Sequence, residues 1–286
     1  MRQASHPRPG QPAPHATTAS ASAPAPTPIG QDELGARLDA GAQALGVALT
    51  PVQRTQLLDY LGLLARWGRV YNLTAVRDPG QMVTQHLLDS LAVWPALQRV
   101  VCARMSGASG VSGSGDRLAH PGAQASACAA VGPSSAPAAA GCTARLLDVG
   151  SGAGLPGVVL AIVAPAWQVT CVDAVGKKAG FVRQVAAELG LTNLRAEHAR
   201  VEALPAGQGG AGFDVVTSRA FASLADFVQA SQQQLAREGL WMAMKGQVPD
   251  DEIAALPAQT EVFHVEQLVV PGLQAQRCLV WMRRRR

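Results

Sequence analysis

Apolar positions along this chain follow two rhythms. Up to about residue 100 they recur every three or four positions, the spacing of helices packed by one face. From residue 145 onward, short apolar runs alternate with helical stretches. In the first part, residues 32–45 read as a helix. A second begins at Thr50-Pro51, where Thr50 can cap, Pro51 suits the first helical position and Gln53 completes a capping box. Leu57, Leu58, Leu61, Leu64 and Ala65 then line one face, until Asn72-Leu73-Thr74 breaks the pattern. A third helix is expected over residues 79–97, with Met82, Leu87, Leu91 and Trp94 among its apolar positions.

In the second part, strands are expected at residues 146–149, 169–173, 194–197, 213–218 and 239–245. Helices are expected at 155–164, 177–189, 224–235 and 250–256, and two closing strands at 262–268 and 277–282. Alternating strand and helix imply an α/β fold, a mostly parallel sheet with helices on both faces and ligands at the C-terminal strand ends. Two stretches carry no rhythm. Residues 1–29 are rich in Pro, Ala, Ser and Thr, too poor in large apolar side chains to offset ordering entropy, and read as a disordered extension. Residues 102–144 collapse into Gly, Ala, Ser and Pro and read as a low-complexity insertion. The chain thus divides into an extension (1–29), a helical part (30–101), an insertion (102–144) and an α/β core with a basic tail (145–286).

The densest chemistry is the run LLDVGSGAGLPG, residues 146–157. A buried strand carries Asp148, and Gly150, Gly152 and Gly154 follow at alternate positions. Glycine permits positive φ and lets a ligand approach with no Cβ in the way. The spacing Gly152-x-Gly154-x-x-Gly157 also fits the dinucleotide fingerprint, and Asp173, ending the second strand, is where ribose hydroxyls of either cofactor type would be held. An NAD-dependent oxidoreductase is therefore one reading. Asp148 favours the other, since its negative charge opposes a pyrophosphate and suits the sulfonium and ammonium of S-adenosylmethionine. Pro156, where the fingerprint's helix should begin, points the same way, although proline is tolerated in a first helical turn.

Composition narrows the setting. Of 286 residues, 48% are apolar, enough for a core, yet no run is long enough to span a bilayer and the N-terminus has no apolar signal core. A soluble, cytoplasmic protein is expected. Five scattered cysteines without a CxxC pair, and six histidines without ligand spacing, indicate neither a metal site nor a disulfide framework. The net charge of +4 is matched by Arg283, Arg284, Arg285 and Arg286 at the end of the chain, either a solvated tail or a phosphate contact. Aromatics are only 4%, so any RNA would be read by shape and charge rather than by stacking on a strand platform.

Several separate motifs in order carry a resemblance over residues 30–101 and 145–282: Tyr71-Asn72-Leu73-Thr74, Arg77-Asp78-Pro79, His86-Leu87-Leu88-Asp89-Ser90, LLDVGSGAGLPG, Asp173 with Lys177-Lys178, Arg200-Val201-Glu202, Ser218-Arg219-Ala220-Phe221-Ala222 and Lys245-Gly246. The chain resembles the bacterial 16S rRNA guanine-N7 methyltransferases, the glucose-inhibited division protein B family. The resemblance implies a class I, Rossmann-like methyltransferase fold preceded by helices, S-adenosylmethionine as donor, and a guanine of 16S rRNA in the small ribosomal subunit as acceptor. It implies that Gly150 and Leu155 line the cofactor, that Val201 and Glu202 flank its adenine, and that Arg219 contacts cofactor or substrate. Asp148, Gly152, Gly154 and Asp173 complete the expected cofactor set, and Lys177, Lys178, Arg183 and Lys245 the expected RNA contacts, with the arginine tail a further part of that rim. No general base is expected, because guanine N7 carries a free lone pair. A monomer is expected, and a non-catalytic ribosome-assembly factor with a vestigial pocket is the remaining alternative. His86 and Asp89, three apart on a helix, are expected on one face, as a structural cap or in substrate docking.

Overall fold

A computed structural model describes residues 30–105, 142–205, 212–219 and 221–286. The expected disordered extension, residues 1–29, and most of the expected insertion, residues 106–141, lie outside the described residues. The first described element is helix α1 (Gln31–Ala44), followed by α2 (Pro51–Tyr71). The capping box of α2 is formed: Gln53 N donates to Thr50 Oγ1 at 3.2 Å and Thr50 N to Gln53 Oε1 at 3.0 Å. The same Gln53 side chain donates to the carbonyls of Ile162 and Val163 at 3.2 and 3.3 Å, two of the acceptors that a helix end leaves unsatisfied. Helix α2 stops at Asn72, whose left-handed φ of 52° closes the last turn.

The expected third helix is three pieces and a longer fourth. Helix α3 (Pro79–Met82) runs through a π-helical turn (Val83–Leu88) into α4 (Asp89–Leu91), and after a break at Ala92-Val93 helix α5 (Trp94–Met105) begins. The reason for the break is Pro95, which lacks an N–H and suits the start of a helix rather than its interior. Helix α5 also continues to Met105, past the point where composition placed the start of the insertion.

Strand β1 (Arg145–Val149) opens the core, and helix α6 (Gly157–Val163) follows, two residues later than expected because Pro156 stands at its N-cap. Then come β2 (Gln168–Asp173), α7 (Gly176–Glu188), β3 (Leu194–His198), a 3₁₀ turn (Val201–Ala203), β4 (Phe213–Ser218) and α8 (Leu224–Ser231). The chain closes with β5 (Leu235–Lys245), α9 (Asp250–Ala254), β6 (Thr260–Leu268) and β7 (Arg277–Arg284). Helix α8 is shorter and β5 longer than the apolar pattern suggested. The ladder pairs Phe213 with Leu235 and then Val215 with Leu240, so the added strand residues form a bulge. Ser231 ends the helix, its hydroxyl bonded to the Phe227 carbonyl at 2.6 Å and accepting from Trp241 Nε1 at 2.9 Å.

The seven strands form one sheet in the order β3-β2-β1-β4-β5-β7-β6. Strands β1 to β5 pair in parallel, while β7 runs antiparallel to both β5 and β6. Alternate residues serve two cores, as strand geometry requires. Leu146, Val169, Val215, Met242 and Trp281 belong to the core shared with α1, α2, α6 and α7. Leu147, Val172, Val216, Trp241 and Val280 face α8 and the 3₁₀ turn with Phe227 and Val201. The strand order reverses between β1 and β4, and the crevice above their C-terminal ends is where such sheets bind ligands.

Candidate active site

At the end of β1 the chain turns through Gly150, Gly152 and Gly154, with φ of 67°, 60° and 91°. These left-handed values are why the positions are glycine. Their surroundings differ. A Cβ on Gly150 would meet nothing within 4 Å, and one on Gly152 only the Gly150 carbonyl at 4.0 Å. A Cβ on Gly154 would collide with Val158 Cγ2 at 2.4 Å, and one on Gly157 with Cys171 Sγ at 2.4 Å. Gly150 and Gly152 thus border open space, while Gly154 and Gly157 let the loop and α6 sit tightly on the sheet. Leu155, the next predicted residue, is buried.

Two carboxylates hold this loop. Asp173 Oδ2 accepts from Gly152 N at 2.9 Å and its Oδ1 from Val175 N at 2.8 Å, with Lys178 Nζ 4.0 Å away. Each oxygen keeps a second lone pair, so the residue can still receive hydroxyl donors. Asp148 is fully buried; its Oδ2 accepts from Gly157 N at 2.9 Å and its Oδ1 has no partner among the described residues. Burial pushes its carboxyl up to about 7, against the lowering effects of the Gly157 N–H and the Arg219 guanidinium. The first N–H of α6 is therefore spent on Asp148 and is not offered to a pyrophosphate, which weakens the anion site a dinucleotide needs. From the opposite side, Tyr60 of α2 donates its phenol to the Ala153 carbonyl at 2.7 Å. Sequence reasoning missed this residue, although it is the one polar atom in the apolar stripe of α2.

Beside the loop, a cavity of about 260 Å³ opens at the C-terminal ends of β4 and β5. Arg219, at the end of β4, lies 3.4 Å from both the Gln85 carbonyl and Asp89 Oδ2. Asp89 Oδ1 accepts from Arg277 Nε at 2.8 Å, so one buried carboxylate serves two guanidinium groups. Arg277 comes from the start of the reversed strand β7 and gave no signal in the sequence. His86 lines the same cavity and bonds Thr74 Oγ1 through Nε2 at 2.7 Å, while its buried Nδ1 has no hydrogen-bond partner among the described residues. Burial, with the Arg219 charge, holds its pKa below 6.5. His86 and Asp89 do share a face, but each is bonded to a different group. Lys245 completes the lining and is tied to both oxygens of Glu252, at 3.0 and 2.8 Å.

The remaining predicted residues divide. Val201 is buried and Glu202 exposed on the 3₁₀ turn that follows β3. Lys177 and Arg183 are exposed on α7, with Arg183 Nε bonded to the Ala196 carbonyl at 2.9 Å. The arginine tail is not part of this rim. Arg283 and Arg284 belong to β7 at the end remote from Arg277, and Arg283 pairs with Glu261 there, while Arg286 pairs with Glu238. Arg284 donates to the carbonyls of Gln232, Leu235 and Ala236 at 2.6, 3.2 and 3.0 Å. The correction follows from strand direction: β7 runs antiparallel, so its C-terminal end reaches the edge of the sheet opposite the crevice.

A parallel sheet closed by one reversed strand, a glycine turn after β1 and a carboxylate ending β2 define a Rossmann-like methyltransferase that uses S-adenosylmethionine. The model of one family, rRNA small subunit methyltransferase G, matches residues 53–106 and 134–280, and the chain belongs to that family. It is 52% identical over 258 residues to a ribosomal RNA small subunit methyltransferase G of Methylibium petroleiphilum, covering 90% of this chain and 98% of the relative. A protein of the same description from Acidovorax sp. (strain JS42) is 55% identical over 246 residues, 86% of this chain and 93% of the relative. The oxidoreductase reading of the glycine fingerprint is thereby set aside, and so is the reading without catalysis.

Proposed function

We propose that the chain transfers the methyl group of S-adenosylmethionine to N7 of a guanine in the 16S rRNA of the small ribosomal subunit. The observation that carries this reading is the open cradle at Gly150 and Gly152, flanked by Asp173 and underlain by Asp148. The residues present fit the cofactor. Open space at the two glycines admits it to backbone distance, and Asp173 has lone pairs left for its ribose hydroxyls. Asp148 supplies negative charge beneath a cationic ligand, Leu155 an apolar wall, and Val201 with Glu202 the surround of the adenine. Gly154 serves the cofactor indirectly, by setting the loop. When bound, the cofactor supplies an electrophilic methyl group on a sulfonium.

The acceptor nitrogen needs no base, since N7 attacks with a lone pair it already has. What the protein must supply is alignment and a field that tolerates charge moving onto the base. Strand β4 ends in Thr217-Ser218-Arg219, which places a guanidinium at the strand end beside the crevice. Arg219 positions substrate or cofactor there, and Lys177, Lys178, Arg183 and Lys245 are the RNA contacts of this reading. The family membership and the two relatives named above support ribosomal RNA as the substrate class. The test uses small subunits from a strain lacking this gene and radiolabelled S-adenosylmethionine. Label at a single guanine, with chain cleavage there after reduction and aniline, is the expected result. Label on another atom or base, or none on subunits and naked rRNA alike, overturns the proposal.

A further inference from the structure

The cavity lined by Gln85, His86, Asp89, Arg219, Lys245 and Arg277 has a charge pattern the transfer reaction does not by itself explain. Three cationic side chains and one carboxylate line it; that carboxylate is shared between the two arginines, while Lys245 is paired with Glu252. A guanine base would need acceptors for its N1–H and exocyclic amine. Asp89, the one carboxylate in this lining, is already balanced by two guanidinium groups, so the charge left facing a ligand is positive. The usual fork of an arginine onto guanine O6 and N7 is also excluded for the reacting base, because it would occupy the lone pair that attacks. Guanidinium pairs match phosphate oxygens at least as well.

We propose that this cavity seats a backbone phosphate of the RNA substrate, gripped by Arg219 and Arg277, with Asp89 as the positioning residue that sets both guanidinium groups. The proposal rests on the RNA-methylation reading above. Asp89 is 3% exposed at its side chain, and the two arginines are 29% and 27% exposed, so the acid is fixed and the cations face outward. Arg277 is held at 2.8 Å, whereas both contacts of Arg219 are 3.4 Å long, too long to bind it firmly. Arg219 is free to turn onto a ligand while Arg277 stays. His86, bonded through Nε2 to Thr74 Oγ1 at 2.7 Å, lines the same cavity beside the two arginines.

The test measures binding of unmethylated small subunits across salt concentrations, together with the affinity for S-adenosylmethionine, in the wild type, Arg277→Gln and Asp89→Asn. Inorganic phosphate is the second probe, as an inhibitor of methylation. Losing one phosphate contact lowers the slope of log K against log salt by about one. The expected result is that drop in Arg277→Gln, with cofactor affinity unchanged and phosphate a weaker competitor against rRNA. Asp89→Asn gives a raised KM for subunits with the same cofactor affinity; Arg277→Lys, which keeps charge but not the fork, recovers the slope and only part of the KM. An unchanged slope and unchanged phosphate inhibition in Arg277→Gln overturn the proposal, whatever happens to kcat. Binding and salt slope are read without catalysis, so a wild type that binds subunits but transfers no methyl defeats the methylation reading alone.

Discussion

Asp148 is the residue whose ionisation ties the cofactor site to pH. Its folded pKa of about 7 stands above the ordinary 3.8, so its contribution to stability is fully present below about pH 4 and is lost as pH rises through 7. The rise from 3.8 to about 7 corresponds to roughly 4 kcal/mol. Asp148→Asn, which keeps an acceptor for the Gly157 N–H, should therefore flatten the decline in stability seen by thermal or urea unfolding between about pH 4 and 8. A cationic cofactor reverses the balance, because it favours the charged form. Affinity of the wild type for S-adenosylmethionine should climb as pH rises toward 7, by at most about tenfold per pH unit, and level off above it, with proton release below pH 7 detectable by calorimetry in two buffers. The variant should bind more weakly at pH 8 and show no such climb; a flat wild-type profile would refute the linkage. The glycines divide in the same way. Gly150→Ala adds a Cβ in open space and about 1–2 kcal/mol of left-handed strain, and should chiefly weaken cofactor binding. Gly157→Ala drives a methyl into Cys171 and should lower stability by about 1–3 kcal/mol. Equal losses of stability in both, with equal cofactor affinity, would contradict this division.

Helix α2 is the element that joins the helical part to the site. Gln53 closes its own capping box and also fastens the end of α6, while Tyr60 bonds the Ala153 carbonyl inside the glycine loop. Tyr60→Phe keeps the packing and removes one buried hydrogen bond, so unfolding should show a loss of about 1 kcal/mol. The loop, no longer pinned, should bind S-adenosylmethionine several-fold more weakly by calorimetry. An unchanged cofactor affinity would mean that α2 supports only the core. The capping box was legible because Thr50-Pro51-x-Gln53 is local, and the glycine turn because its spacing is local too. The strand positions were legible for the same reason, their apolar runs being bounded by polar residues. Tyr60 was hidden, since an aromatic in an apolar stripe reads as core and its partner lies 93 residues away. Arg277 was hidden behind the reversed pairing of β7, which brings it 188 residues along the chain to Asp89. The break before α5 was legible in principle from Pro95, but the apolar spacing ran through it.

At the scale of the whole molecule, charge is sorted by the direction of the strands. The crevice end of the sheet gathers Arg219, Lys245 and Arg277, and the far end gathers the terminal arginines. Strand β7 connects the two: Arg277 opens it at the cavity and Arg284 closes it, and seven steps at strand rise separate them by roughly 23 Å. A basic tail read from composition is a phosphate contact only if it lies near the substrate, and this one lies across the sheet. The contacts it makes there are within the protein. Arg284 donates to the Gln232 carbonyl just after α8 and to those of Leu235 and Ala236 at the start of β5, and sits over the Trp241 ring at 5.8 Å. Arg283 stacks over Phe263 and pairs with Glu261, fastening the edge strand β6. Arg284→Ala strips partners from carbonyls that flank the β5 bulge, and charge-assisted hydrogen bonds of this kind contribute about 1.5–3 kcal/mol. Unfolding of Arg284→Ala should show a loss of that order. Its binding to small subunits, once measured at a temperature where the variant is folded, should keep the wild-type salt slope, because no phosphate contact has been removed. A slope reduced by about one, with stability intact, would place the tail on the RNA after all and would require the substrate to wrap around the edge of the sheet.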